Sequence, residues 1–304
     1  MSSGASIAAN AVTKARLGKR AGTNRQADVV FRVMMYLALL TTFVVLGLLF
    51  YEILKDGLGA VTPDFFNNQP SKVRPETAGA QSAILGTLWL MIITAVIVIP
   101  LGVATAIYLE EFSDGKRWWN RAIEVNIQNL AAVPSVVYGI LGLAFFVRGP
   151  LDLGTVLLAG GMTLALLVLP VVIIVSREAI RAVPPSIREG SLALGATEWQ
   201  TIAKQVLPAS IPGITTGVIL ALSRAIGETA PLLLIGAATS PRFNPDGLFS
   251  DFTALPVQIY VWSTDADQDH FLPLASAAIL VLMAALVIMN SIAIYLRNRY
   301  EQKW

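Results

Sequence analysis

The chain has 304 residues, 55% of them hydrophobic and only 14% charged, with a mean hydropathy of +0.65 and a net charge of +2. A soluble domain carries about a quarter charged residues, so this composition lacks the polar surface to clothe a soluble globule and indicates a membrane protein. The net charge is too small to argue for nucleic acid, the absence of Cys excludes disulfides and thiolate metal sites, and the single His270 excludes a histidine-rich cluster.

Residues 1–28 are small and polar with a loose basic cluster of Lys14, Arg16, Lys19, Arg20 and Arg25. The positive-inside rule makes this a cytosolic tail; a membrane-surface or partner-binding arm is the alternative. A cleaved signal peptide fits poorly, because the apolar run 33–50 is too long for a signal core and no small-x-small site follows it. Apolar runs near 30–51, 82–109, 126–147, 153–175, 210–236 and 271–296 each approach the ~20 residues that cross a bilayer, and predict six transmembrane helices. The membrane domain extends over 29–300, with 301–304 as a cytosolic end. The third and fourth runs are joined by R-G-P-L-D at 148–152, a tight external turn.

With the N-terminus inside, the inner segments hold 16 Lys and Arg and the outer segments 5, Arg224 remaining within a run. That asymmetry places both termini in the cytosol. The outer segments 52–81 and 237–270 are rich in Pro, Asn, Asp and Gly, and read equally as solvated connectors or as a docking face for an extracytoplasmic partner. Trp118 and Trp119, beside Lys116 and Arg117, read as an interfacial anchor, and Trp262 and Trp304 are assigned the same place. His270, at the outer edge of the last run, reads as a bystander rather than a ligand. Pro100, Pro134, Pro170 and Pro231 fall within apolar runs and predict kinks, each removing a backbone donor. Gly213 and Gly217 form a G-x-x-x-G pair that lets another helix approach closely.

Two stretches carry chemistry. In the fifth run, S-R-A-I-G-E-T-A-P, Arg224 stands near the middle of a membrane helix, where a charge costs about 2.5–3.5 kcal/mol on insertion scales. Glu228 follows four residues on, which on a continuous helix puts both side chains on one face. The pair reads either as a self-neutralising ion pair or as a site on an ion pathway. Arg offers paired planar donors that match an oxyanion, and the carboxylate beside it repels any anion that brings no proton. Hydrogen phosphate carries an O–H that Glu228 accepts, whereas sulfate at neutral pH does not, so the pair predicts discrimination between them.

The second stretch is the polar cytosolic segment 176–208. Pro184, Pro185 and Ser186, with Glu189 three residues after the serine, predict a capped helix to about Leu194. Gly195 then permits a turn, and a second helix runs to about Leu207, with Pro208 marking the return to the membrane. An amphipathic connector lying on the bilayer is the alternative, but it needs no such break. The chain has no G-x-x-x-x-G-K-[ST] loop, so any ATP must be bound by another chain.

E-G-S-L-A-L-G followed by Leu207-Pro208 resembles the EAA loop of ABC importer permeases, E-A-A-x-x-x-G-x9-I-x-L-P. Glu189, Gly195, Leu207 and Pro208 stand at the motif positions, while Gly190 and Ser191 replace the alanines and Gln205 the isoleucine. V-P-S-V-V-Y-G-I-L-G at 133–142 and S-R-A-I-G-E-T-A-P-L-L-L-I-G-A at 223–237 look like the phosphate-specific branch of that family, the second in its PstA form. The resemblance covers about residues 30–300. It implies an all-α polytopic bundle of the type I importer (MetI-like) architecture, a transporter subunit rather than an enzyme. It implies a docking loop of Arg188, Glu189, Gly190, Ser191, Leu192, Ala193, Leu194 and Gly195 that seats on an ATPase, and a substrate path past Arg224, Glu228, Thr229 and Ser135. The implied partners are a PstC-like permease, a PstB-like ATPase dimer holding ATP and Mg, and a PstS-like extracytoplasmic phosphate-binding protein. A sulfate, molybdate or tungstate permease, and an ATP-independent anion transporter, are the rival readings; the coupling-loop spacing and the lack of an internal repeat stand against the latter.

Overall fold

Prolines, glycines and apolar runs between them divide the chain into helices, some continuous across a membrane's width and some broken within it. The structure, a computed structural model, describes residues 25–114, 116–237 and 243–300. Expectations for residues 1–24, Arg242 and Trp304 concern positions outside these. Helix α1 spans Arg25–Gly57 and is followed by the short α2 (Pro63–Asn67) and a 3-10 turn at Pro75–Thr77. Then come α3 (Gln81–Ile107), α4 (Trp118–Ala131), α5 (Ser135–Gly142) and α6 (Leu157–Arg181). The remainder is α7 (Pro185–Ala193), α8 (Glu198–Thr201), α9 (Leu207–Ala225), α10 (Ala230–Leu234), α11 (Leu255–Ser263) and α12 (Gln268–Tyr300). Among the described residues there is no strand, only an isolated antiparallel bridge between Val156 and Asp251.

The described residues fall into two units, one up to Glu52 and the other from Ile53 on. In the first, α1 is an unbroken apolar helix with exposed hydrophobic side chains such as Phe31, Leu40 and Phe43 on all its faces, as lipid contact requires. In the second, α6 is the central element. Its glycines and alanines let neighbours close in: Gly161 faces Ile93 of α3, and Gly102 of α3 faces Val172. On its other side α9 approaches through Gly213 against Ala179 and Gly217 against Val175, so the G-x-x-x-G pair makes the close contact its spacing predicts. Val98, Val168, Val172, Ile180, Val206 and Ala225 form the core of this sandwich.

Among the described residues, five helices are long and apolar enough to cross a membrane, and a bent pair makes a sixth if counted as one span. That pair corrects the expected third run. Residues 126–147 are not one helix: α4 ends at Ala131, Pro134 caps α5, and the two axes meet at 103°. Proline without an N–H, and with its preceding residue driven from the helical region, stops α4 there. The fifth run is also redrawn, because its helix begins at Glu198 and ends at Ala225. The R-G-P-L-D turn is present, with Asp152 at φ 41 and the Asp152 amide bonded to the Gly149 carbonyl at 3.0 Å.

The segment after Ala237, expected on the outer side, departs most from expectation. Instead of a solvated connector it carries α11, in which Leu255, Val257, Gln258 and Trp262 are buried. Trp262 is therefore a core residue, not an interfacial anchor: its ring meets Phe65 at 6.2 Å and lies among Phe271, Leu274 and Ala278. Amide groups tie the segment to the first outer loop, Gln69 donating to Asn244 and Asn244 to Gln81, both at 3.0 Å. The Leu255 amide donates to the Thr87 hydroxyl at 2.8 Å, and a Cβ on Gly86 would collide with the Thr253 carbonyl. A backbone atom cannot give way as a side-chain tip does, so Gly86→Ala is expected to destabilise the bundle by about 1–3 kcal/mol. The measurement is a lowered unfolding midpoint of the purified chain in detergent.

Candidate translocation site and coupling face

The apolar run around Arg224 breaks because Gly227 weakens the helix and Pro231 lacks the N–H that would continue the ladder. Helix α9 stops at Ala225, the Glu228 amide bonds back to the Ala225 carbonyl at 3.1 Å, and Thr229 precedes the short α10. Arg224 and Glu228 thus do not stack on a continuous helix; they close across a helix end, Nε to Oε1 at 3.7 Å. That separation is charge pairing without a hydrogen bond. The Arg224 side chain is 60% exposed and Glu228 only 18%, so the donor edge of the guanidinium stays open beside a mostly covered carboxylate.

The opposing wall comes from the other broken span. Ser135 is the first residue of α5, and with Val133, Tyr138, Leu130 and Ala221 it lines a cleft that also includes Arg224. The two short helices α5 and α10 pack on each other through Gly139, whose missing side chain admits Pro231 and Leu234. The cleft has a volume of ≈ 10 Å³, room for about one water. Of the four predicted path residues, the structure brings Ser135 to Arg224 and Glu228 beside Arg224, while Thr229 is half-buried at the head of α10 and does not line the cleft. Sequence reasoning passed over Tyr138, whose hydroxyl donates to the Leu130 carbonyl at 2.7 Å across the 103° bend. Its place three residues after Ser135, on the same helical face, was the available signal.

The polar segment 176–208 keeps its helix-turn-helix form with two corrections. Pro184, not Ser186, occupies the cap position of α7, and no side chain caps it; the capping box belongs to α8, between Thr197 and Gln200. Gly195 takes the turn at φ +87, a region that favours glycine. Nor does Pro208 end the second helix. A π-turn at Ile202–Val206 opens the ladder where the proline ring would meet the Lys204 carbonyl, and the helix continues from α8 into α9.

Within the predicted docking loop, Glu189, Gly190, Leu192, Ala193, Leu194 and Gly195 are exposed, Leu194 to 91%. Arg188 and Ser191 turn inward instead, Arg188 to Glu111 at 2.8 Å and Ser191 to Thr201 at 2.9 Å. Trp199, exposed and 6.4 Å from the Phe112 ring, extends the apolar part of this face beyond the loop.

A membrane bundle with two broken spans facing one cleft and an exposed helical loop at one end defines the class of importer permeases. Residues 98–302 match the family described as binding-protein-dependent transport system inner membrane component, and the chain belongs to that family. It is a multi-pass inner-membrane component of an ABC transport system rather than an enzyme. It is 33% identical over 255 residues to the phosphate transport system permease protein PstA 1 of Mycobacterium tuberculosis (strain ATCC 25618 / H37Rv), covering 82% of each chain. It is 30% identical over 266 residues to the probable ABC transporter permease protein YqgI of Bacillus subtilis (strain 168), covering 84% of this chain and 90% of that one. The fold is shared with a chain of a bacterial alginate ABC transporter, at a TM-score of 0.64 and 15% identity over 92% of this chain and 99% of that chain.

Removing the hydroxyl that spans the bend tests this geometry. Tyr138→Phe is expected to cost about 1 kcal/mol, the usual net worth of one hydrogen bond, as a small drop in unfolding midpoint.

Proposed function

We propose that the chain is the transmembrane permease subunit of an ATP-driven importer of inorganic phosphate. It forms the translocation path with a homologous PstC-like permease and takes its energy from a PstB-like ATPase dimer, which holds ATP and Mg. A PstS-like extracytoplasmic protein delivers the ion. Both termini lie in the cytosol, on the side of the coupling loop, in keeping with the excess of Lys and Arg there.

The observation that carries the substrate is the open guanidinium of Arg224 beside the mostly covered carboxylate of Glu228, at a break in a membrane helix. Relatives named as phosphate transport permeases support the same reading. Arg224 attracts the anion with paired donors, and Glu228 accepts the remaining proton of hydrogen phosphate. Sulfate has no proton to give and meets carboxylate repulsion instead. The exposed face of Glu189, Gly190, Leu192, Ala193, Leu194 and Gly195 docks on the ATPase, and closure of that dimer moves the loop.

The test is uptake of labelled phosphate into vesicles bearing the complete transporter, with and without ATP and with excess sulfate. ATP-dependent uptake that ignores sulfate is expected. Arg224→Ala is expected to lower uptake by about ten- to a hundredfold, the worth of a hydrogen bond to a charged group. Glu228→Gln is expected to let sulfate compete. Uptake without ATP would refute the coupling; competition by sulfate in the unaltered chain would make it a permease for another oxyanion; unchanged discrimination in Glu228→Gln would refute the role of that carboxylate.

A further inference from the structure

The charges at the cytosolic end of the bundle form a cluster that the translocation cleft does not use. Arg188 of α7 donates through Nη2 to Glu111 at 2.8 Å and to the Ile180 carbonyl at 3.0 Å, and through Nη1 to the Val183 carbonyl at 2.9 Å. Glu111 sits in the π-turn that closes α3, its side chain 12% exposed. The adjacent Glu110 accepts from Arg181 at 2.9 Å and from Arg177 at 3.3 Å, and Arg177 reaches across to Glu124 of α4 at 3.0 Å. Three arginines close on Glu110, Glu111 and Glu124, with the more exposed Glu178 beside Arg181 at 3.6 Å, so every arginine of the cluster already faces a carboxylate. The Arg177 side chain is 13% exposed, and breaking such a pair leaves an uncompensated charge away from water. These contacts are accordingly stiffer than surface ion pairs.

Their connectivity leads to the cleft. Arg188 lies within the coupling segment, joins it to the ends of α3 and α6, and is linked by Arg177 to α4. Seven residues beyond Glu124, α4 ends at Leu130 and Ala131, which line the cleft with Ser135 and Arg224. Between them stands the 103° bend at Pro134, an element that can change angle without unwinding either helix.

We infer that this cluster is the relay between the coupling loop and the cleft. Displacement of α7 passes through Arg188 and Glu111 into the end of α3, then through Glu110, Arg177 and Glu124 into α4. Helix α4 acts as a lever on the Pro134 bend, and the wall formed by Ser135 and Tyr138 moves away from Arg224, widening a cleft of ≈ 10 Å³. Arg188, Glu111, Arg177 and Glu124 are positioning residues that touch neither the ion nor the ATPase. The relay rests on the proposed ATP-driven transport.

The experiment uses the complete transporter in vesicles and measures phosphate imported per ATP hydrolysed, with ATPase co-purification as a separate readout. Glu124→Gln and Glu111→Gln, neither of them in the docking loop, are expected to keep ATPase binding and basal hydrolysis while import per ATP falls about tenfold. Arg188→Lys keeps the charge but gathers its donors on one nitrogen, where the guanidinium serves the Val183 carbonyl from Nη1 and Glu111 and the Ile180 carbonyl from Nη2, and is expected to uncouple similarly. Because both glutamates lie on one path, the double variant is expected to be no worse than the weaker single one. Coupling unchanged in Glu124→Gln and Glu111→Gln overturns the relay, as does a loss that only tracks lost ATPase binding or multiplies in the double variant. If the unaltered transporter shows no ATP-driven uptake, the functional reading falls and the relay with it; if it is ATP-driven and the variants stay coupled, the relay alone falls.

Discussion

A hydrocarbon interior offers no water to an interrupted helix, so each backbone break inside a membrane must be covered by protein. The chain breaks two of its spans, at Pro134 and after Ala225, and packs the short helices that follow against each other through Gly139, Pro231 and Leu234. The Leu130 carbonyl, freed at the first break, receives both the Val133 amide and the Tyr138 hydroxyl. Covering the breaks and building the site are therefore one act of packing. The cleft exists because α5 and α10 need each other, and Arg224 sits at its edge because α9 ends there.

The rest of the bundle holds those breaks in place. Close approach of α3, α6 and α9 depends on small residues, since without a hydrophobic drive between lipid-facing helices it is dispersion at short range that binds them. Gly102, Gly161, Gly213 and Gly217 each admit a branched or methyl-bearing neighbour. At the opposite end the buried α11, wedged by Trp262 and latched by Asn244, closes the bundle over its own loops.

Charge is used in two different ways. At the cleft, an exposed arginine and a mostly covered glutamate stand just too far apart to hydrogen-bond, which leaves the guanidinium donors open. At the end of the bundle beside the helix-turn-helix segment, arginines and glutamates pair at hydrogen-bonding distance, although the buried Arg177 Nε finds no partner. The contrast follows from geometry rather than residue type: 3.7 Å across a helix end in one place, 2.8–3.3 Å between packed helix ends in the other.

By itself the sequence determined the membrane class, most of the apolar spans, the helix-turn-helix segment with its glycine turn, the G-x-x-x-G contact and the charged pair, because composition, run length and short-range spacing are local quantities. It placed Arg224 and Glu228 together but on the wrong support, since a continuous helix was assumed where Gly227 and Pro231 break it. Only the tertiary structure decided that Trp262 is buried, that Arg188 faces inward, that Ser135 and Tyr138 lie opposite Arg224, and that Glu110, Glu111 and Glu124 meet arginines more than fifty residues away. Those facts depend on which helix ends are brought side by side. No window of the sequence contains that information, because close packing between distant segments sets it.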